Sequence, residues 1–348
     1  MSPPTLLRTK APLRISFAGG GTDVSPYPEE RGGAVLNCTV NKYAYATLAT
    51  RENNEATTVH SLDFDTSVNY GPSDDRTYTG ELDLVTAALR TLEKDPAVAG
   101  RLGGLEMFLH SDAPPGSGLG GSSTMAVALV GVLQRYLSMP WTSYDVAEIA
   151  YRIEREEMAK KGGRQDQYAA SFGGFNFMEF GKNGTVVNPL KIPREILNEL
   201  QYRLLLCYTG TRHLDDEIIK SQQNNYREGR KDTVASLDAM KALAVEMKNN
   251  LLRGNIDEMG RLLHAGWELK KRLTSGISNP LIDHLYEKAR EAGALGGKLT
   301  GAGGGGYLLL FADFSRRRKI AEVVEKAGGH VVDFSFEMNG VQSWQVRS

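Results

Sequence analysis

Hydrophobic positions fall in short, closely spaced blocks along the front of the chain and at helical intervals along much of its second half. Leu13 to Ala18 and Ala34 to Leu48 read as strands, the latter rich in Val, Thr and Tyr with stretches of alternation. Shorter strands are expected near Thr57 to Ser61 and Thr66 to Tyr70, a helix near Leu82 to Glu93, and a strand at Leu105 to His110. Two helices follow, Met125 to Leu137 and Tyr144 to Lys160, the second ended by Gly162-Gly163. A hairpin is expected at Phe175 to Phe180 and Thr185 to Leu190, and Pro189 to Pro193 marks a boundary. Beyond it come a strand at Arg203 to Tyr208 and a mostly helical stretch from Leu214 to Ala292, broken near Gly254 and at Ser275 to Pro280. Strand, glycine loop, strand, helix and strand close the pattern from Leu295 to Phe334. Strand blocks without regular β-α alternation give an α+β class in two domains, residues 1–190 and 191–348.

Composition narrows the ligand. A chain of 348 residues, 41% hydrophobic, can build two ordinary cores. With 41 basic against 42 acidic residues, there is no electrostatic case for nucleic acid or a membrane surface, so any anionic ligand must be met by local groups. Cys38 and Cys207 lie in apolar strand-like runs and read as core residues of a reducing compartment. Met1 to Lys10 has no apolar run of the secretory type, and the expected location is the cytoplasm. The six histidines are scattered without metal-ligand spacing, and no G-x-S-x-G occurs, which argues against a zinc site or a serine hydrolase.

Three glycine-rich segments carry the chemistry: Ala18 to Asp23, Pro114 to Thr124, and Lys298 to Gly306. In the second, Pro115-Gly116-Ser117-Gly118-Leu119-Gly120-Gly121-Ser122-Ser123 feeds straight into a helix. Glycines let the backbone approach an anion, the first helical N–H groups lack intrahelical partners, and the helix dipole favours negative charge there. Such a loop suits phosphate, and its hydroxyls suit phosphate oxygens or a Mg²⁺ shell. Gly116, Gly118 and Gly121 satisfy G-x-G-x-x-G, as do Gly301, Gly303 and Gly306, but neither set joins a strand directly to a helix, so a nicotinamide site is excluded; no Walker P-loop sequence occurs either. The third segment, with Gly303 and Gly304 at its centre, lies between two strand-like runs and implies that another backbone or a ligand comes close.

The order Ala11-Pro12-Leu13-Arg14-Ile15-Ser16-Phe17-Ala18-Gly19-Gly20-Gly21-Thr22-Asp23, then Pro-x-x-x-Gly-Leu-Gly-x-Ser, then Lys-x-Thr-Gly-Ala-Gly-Gly-Gly-Gly resembles the three motifs of the GHMP-type small-metabolite kinases. That family is typified by galactokinase, homoserine kinase and mevalonate kinase, and the similarity spans nearly the whole chain. The resemblance implies an N-terminal domain of ribosomal-protein-S5 type, a C-terminal ferredoxin-like domain, and ATP, Mg²⁺ and substrate in the cleft between. It makes Asp166, in Arg164-Gln165-Asp166-Gln167, the candidate carboxylate facing the acceptor hydroxyl. Glu154 becomes the candidate Mg²⁺ ligand with Ser122, Ser123 being the substitute. Arg14 matches the cationic residue of the first strand, near the catalytic aspartate and the transferring phosphoryl group.

Galactokinases carry Glu-His where this chain has Gly20 and Gly21, while Thr22 and Asp23 remain. Asp23 is therefore expected to accept sugar hydroxyls in a pocket with added space. The Ala-Gly-Gly-Gly-Thr-Asp form is similar to the bacterial D-glycero-D-manno-heptose 7-phosphate kinases, which phosphorylate the anomeric oxygen; a fucokinase- or galactokinase-like sugar 1-kinase is the alternative. A sugar phosphate needs a cation remote from ATP, and Arg212, with Lys220 further on, is the candidate. The expected partners are a sugar or sugar phosphate, with a homodimer compatible with the sequence.

Overall fold

A computed structural model describes residues 5–51, 56–71, 76–210 and 215–346. Two sheets organise the chain. The first contains β1 (Leu6–Ala18), β2 (Gly33–Thr50), β3 (Thr57–Ser61), β4 (Thr66–Tyr70), β5 (Leu105–Ser111), β6 (Phe175–Gly181) and β7 (Gly184–Pro189). Its path ends with β12 (Gln342–Gln345), in the order β12-β1-β2-β5-β3-β4; β6 and β7 branch from the first half of β2. Only the β3–β5 pairing is parallel among these. The second sheet has the order β11-β8-β10-β9, formed by β8 (Leu204–Tyr208), β9 (Ala294–Leu299), β10 (Tyr307–Ala312) and β11 (His330–Val332). Numbered within that sheet the order is 4-1-3-2, the arrangement of a ferredoxin-like β-α-β-β-α-β unit.

The helices explain the burial pattern. α1 (Tyr27–Arg31) and α2 (Asp83–Glu93) precede α3 (Gly121–Leu137), which is apolar on nearly all sides because it packs on β1 and β2 and is covered by α2, α4 (Ser143–Arg152) and α5 (Gln165–Phe172). α6 (Arg194–Arg203) leads into β8, and α7 (Asp215–Arg227), α8 (Lys231–Arg253), α9 (Ile256–Lys271) and α10 (Pro280–Ala292) form the long excursion before β9; α11 (Arg317–Lys326) joins β10 to β11. One core unites the halves: Leu13, Ile15 and Phe17 of β1 pack in a single cluster with Leu204, Leu206, Leu309 and Phe311 of the second sheet.

Four features differ from the sequence expectation. The strand expected from Leu13 begins at Leu6, because its first half gains partners on both sides, β2 and β12. The helix expected to run from Tyr144 to Lys160 instead passes into a π-helical turn, Ile153–Glu157, and stops there. Gly162 and Gly163 therefore do not cap it; they are required by close approach, as shown below. A further strand, β12, has no counterpart among the expected elements and, although it follows the second sheet in the chain, joins the first. Arg194–Arg203 is a helix with no counterpart in the expected elements. Cys38 and Cys207 are both buried and free.

Candidate active site

Arg14 is the hub. Its backbone N–H donates to the Leu119 carbonyl at 3.1 Å, and its Nη1 donates to the Gly118 carbonyl at 2.7 Å, so one strand residue straps the glycine loop to β1. The same guanidinium grips Asp166 in a fork, Nε to Oδ1 at 2.7 Å and Nη2 to Oδ2 at 2.8 Å. Asp166 reaches this place from the first turn of α5, and the Gly120 backbone passes so close that a Cβ there would lie 3.0 Å from Asp166 Oδ2.

The loop itself opens a helix N-terminus. Gly120 adopts φ +80° as the residue before α3, and no side chain caps that end. Ser117 Oγ is buried without a partner among the described residues, and at Gly121 the position of a Cβ is open space. Uncapped N–H groups, an unpaired buried hydroxyl and open space are what a phosphate requires.

Glu154 sits on the π-helical turn and is 1% exposed. The extra residue in a π turn re-aims the side chains around it, and here Ile153 and Glu154 are both buried. Ser122 Oγ donates to Glu154 Oε1 at 2.8 Å, and Gln167 Nε2 donates to Oε2 at 2.6 Å and to Ser123 Oγ at 3.1 Å. Ser123 is thus turned into the protein, while Ser122 is the exposed hydroxyl beside the carboxylate.

Asp23 closes the other side. Its Oδ1 accepts from the Gly21 N–H and its Oδ2 from the Gln165 N–H, both at 3.1 Å. Burial pushes its carboxyl above the usual range; the Gln165 N–H works against this, and the Asp166 charge adds to it. Gly163 has no side chain because a Cβ there would stand 1.9 Å from Asp23 Oδ2, and Gly162 lies against the Arg155 guanidinium. Thr22 is structural: its hydroxyl donates to the Gly19 carbonyl at 2.8 Å and accepts from the Ala34 N–H at 3.1 Å. Gly20 and Gly21 form the turn between, with Gln222 of α7 donating to the Gly21 carbonyl at 3.2 Å.

The third glycine segment folds over the second. A Cβ at Gly301 would lie 2.5 Å from the Gly118 Cα, and one at Gly306 would lie 2.2 Å from the Ser117 carbonyl oxygen; Tyr307 N–H donates to that same oxygen at 3.1 Å. Gly303 and Gly304 lie instead against Ile277, whose carbonyl accepts from the Gly304 N–H at 2.9 Å. Gly301→Val is therefore expected to separate the two loops and raise the KM for ATP by about tenfold, a loss of about 1.4 kcal/mol. A folded variant with unaltered ATP affinity, measured by calorimetry, would make the contact purely architectural.

Sequence reasoning passed over three residues at this site. Gln165 and Gln167 flank Asp166 and bind the two carboxylates, and Lys298 of β9 is buried with its Nζ 3.4 Å from the Phe17 carbonyl. Burial, with the nearby charges of Lys270 and Arg14, holds the Lys298 amine well below the ordinary lysine range. Buried amides beside a carboxylate are the signal that was legible; the lysine's burial was not. Lys220 is exposed on α7, and Arg212 lies outside the described residues.

Comparison with known proteins decides the family. Residues 83–174 match the N-terminal domain of the GHMP kinases and residues 247–330 their C-terminal domain. The chain is 36% identical to the D-glycero-alpha-D-manno-heptose 7-phosphate kinase of Campylobacter jejuni over 98% of its own length and 99% of the relative's. It belongs to the GHMP kinases. Membership makes this GHMP kinase an ATP-using phosphotransferase with an alcohol group as acceptor. The crystal structure of a D-glycero-D-manno-heptose 1-phosphate kinase from Bacteroides thetaiotaomicron superposes with a TM-score of 0.81 at 33% identity, covering 98% of this chain and 100% of that one. An L-fucokinase/L-fucose-1-P guanylyltransferase of Bacteroides fragilis is 27% identical over 87% of this chain, which spans 34% of that longer protein. No helix among the described residues is long and apolar enough to cross a membrane.

Proposed function

We propose that this GHMP kinase phosphorylates a heptose phosphate, with the anomeric hydroxyl of D-glycero-D-manno-heptose 7-phosphate as acceptor. The observation that carries the reading is the end-to-end similarity to a kinase named for that substrate. A fucokinase- or galactokinase-like activity is the weaker alternative, since the fucokinase relative is more distant and matches over only a third of its length. The expected added space at Gly20 and Gly21 is not open, since a Cβ at Gly20 would lie 3.2 Å from Ser16 Oγ and one at Gly21 3.1 Å from Gln222 Nε2, so these glycines do not bear on the size of the sugar.

ATP supplies the phosphoryl group, and Mg²⁺ would share its charge among the phosphates; Ser122 Oγ and Glu154 Oε1 are the hard oxygen donors suited to that ion. Among the described residues no group of three or more His, Cys, Asp or Glu could hold a metal, so phosphate oxygens and water would complete the shell. The uncapped start of α3 and the buried Ser117 hydroxyl receive phosphate oxygens. Asp166 aligns the acceptor hydroxyl and takes its proton on a carboxylate oxygen. Arg14 fixes the carboxylate's orientation through its two-pronged contact and offers positive charge to the transferring group. Asp23, held by two backbone N–H groups, has lone pairs left for sugar hydroxyls.

A panel of heptose 7-phosphate, heptose, fucose and galactose, assayed for ATP consumption, tests the reading. A charge-assisted contact to the distal phosphate is worth about 1.5–3 kcal/mol, so heptose 7-phosphate should exceed each neutral sugar by about ten- to hundredfold in kcat/KM. A clear preference for fucose or galactose would replace heptose phosphate as the substrate.

A further inference from the structure

Gln165 occupies the interval between the two site carboxylates and is 5% exposed. Its backbone N–H donates to Asp23 Oδ2 at 3.1 Å and its side-chain Nε2 donates to Asp166 Oδ1 at 3.2 Å. An ionised carboxylate only accepts, so the amide must present its NH₂ group to Asp166, and the orientation of the side chain is settled by that partner. The amide oxygen is then committed to the opposite direction. There it is buried, and no donor among the described residues reaches it.

A buried carbonyl oxygen without a donor costs about 1–3 kcal/mol, a cost removed when a ligand brings a donor to it. The surroundings restrict which ligand can do so. Asp23 and Asp166 flank the position with acceptors, and the Arg14 guanidinium is already divided between Asp166 and the Gly118 carbonyl. An anionic group would be repelled here, whereas neutral hydroxyls can donate to all three oxygen centres. A second buried oxygen, Ser16 Oγ on the same strand as Arg14, also lacks a partner and lies beside Gly20, where a Cβ would be 3.2 Å away.

Resting on the sugar-kinase reading above, we infer that Gln165 is a specificity residue: its Oε1 accepts a hydrogen bond from the acceptor hydroxyl adjacent to the one that is phosphorylated, while its Nε2 holds Asp166 toward the reacting oxygen. The site thereby distinguishes a vicinal diol from an acceptor with one isolated hydroxyl. The distal phosphate belongs outside this acceptor-rich corner.

The experiment compares wild type and Gln165→Met on heptose 7-phosphate and on its 2-deoxy analogue. Wild type should lose about tenfold or more in kcat/KM on the deoxy sugar. Gln165→Met should lose a similar factor on the full substrate and no more than about twofold further on the analogue, because the hydroxyl no longer has its acceptor. Undiminished discrimination by the variant overturns the assignment, as does a wild-type enzyme indifferent to the deoxy change. Gln165→Glu keeps an acceptor oxygen but sets a second negative charge against Asp166. It should retain the preference for the hydroxylated sugar while kcat falls, and it decides the matter if the methionine variant fails to fold; loss of the preference overturns the inference. Turnover of fucose without turnover of heptose 7-phosphate removes the substrate reading alone, and the same comparison on fucose and 2-deoxyfucose then judges Gln165. No turnover of either sugar overturns both.

Discussion

Asp166→Asn is expected to lower kcat by on the order of a hundredfold or more while leaving ATP affinity within about twofold, since it removes the proton-accepting oxygen and touches no phosphate-loop hydroxyl. The asparagine can keep one hydrogen bond from Arg14 but loses the fork that now joins both carboxylate oxygens to Nε and Nη2. A comparison with Asp166→Ala separates chemistry from architecture. Removing one partner of a buried pair typically costs about 3–5 kcal/mol, so the alanine variant should also melt earlier, with Arg14 left to the Gly118 carbonyl. Single-turnover kinetics and calorimetry with ATP are the measurements. A kcat near wild type in Asp166→Asn would remove this residue from the proton transfer.

Glu154→Gln is expected to raise the Mg²⁺ concentration for half-maximal activity by about ten- to hundredfold, the factor belonging to a lost charge-assisted contact. The carboxamide can keep the bond from Gln167 Nε2, now 2.6 Å from Oε2, only by turning its NH₂ group toward Ser122, which replaces one of the two proposed metal-facing oxygens with a donor. Ser122→Ala should shift the same titration in the same direction by less, because the carboxylate remains. Excess Mg²⁺ should restore part of the activity in both. Titration curves that coincide with wild type for both variants would move the ion elsewhere.

Much of this architecture is local and was legible. The spans Thr57 to Ser61 and Thr66 to Tyr70 form strands with those limits, and the hairpin near residues 175–190 and the closing strand-helix-strand pattern occur where the apolar spacing places them. Their side-chain period is enough, because each has a buried face and a close partner. The glycine segments were legible for a related reason. Backbone in close approach excludes Cβ atoms, so the crowding of Gly118 against Thr300 and of Gly301 against Gly118 is written into the residue type at each position.

What required the tertiary structure is everything that depends on distant partners. β12 is a short, mostly polar segment that forms a strand because β1 offers it an open edge, pairing Leu7 with Gln345 across nearly the whole chain. The π turn that carries Glu154 depends on burying two successive side chains, a demand set by packing and absent from the helical period. Sequence alone determined the order of the motifs, the residue types able to hold phosphate, and the family resemblance with its proposed carboxylates. Only the fold decided that Arg14 binds Asp166 and the phosphate loop at once, that Gln165 joins two aspartates, and that the third glycine segment closes on the second, because each is a contact between residues far apart along the chain or a side-chain orientation fixed by such a contact.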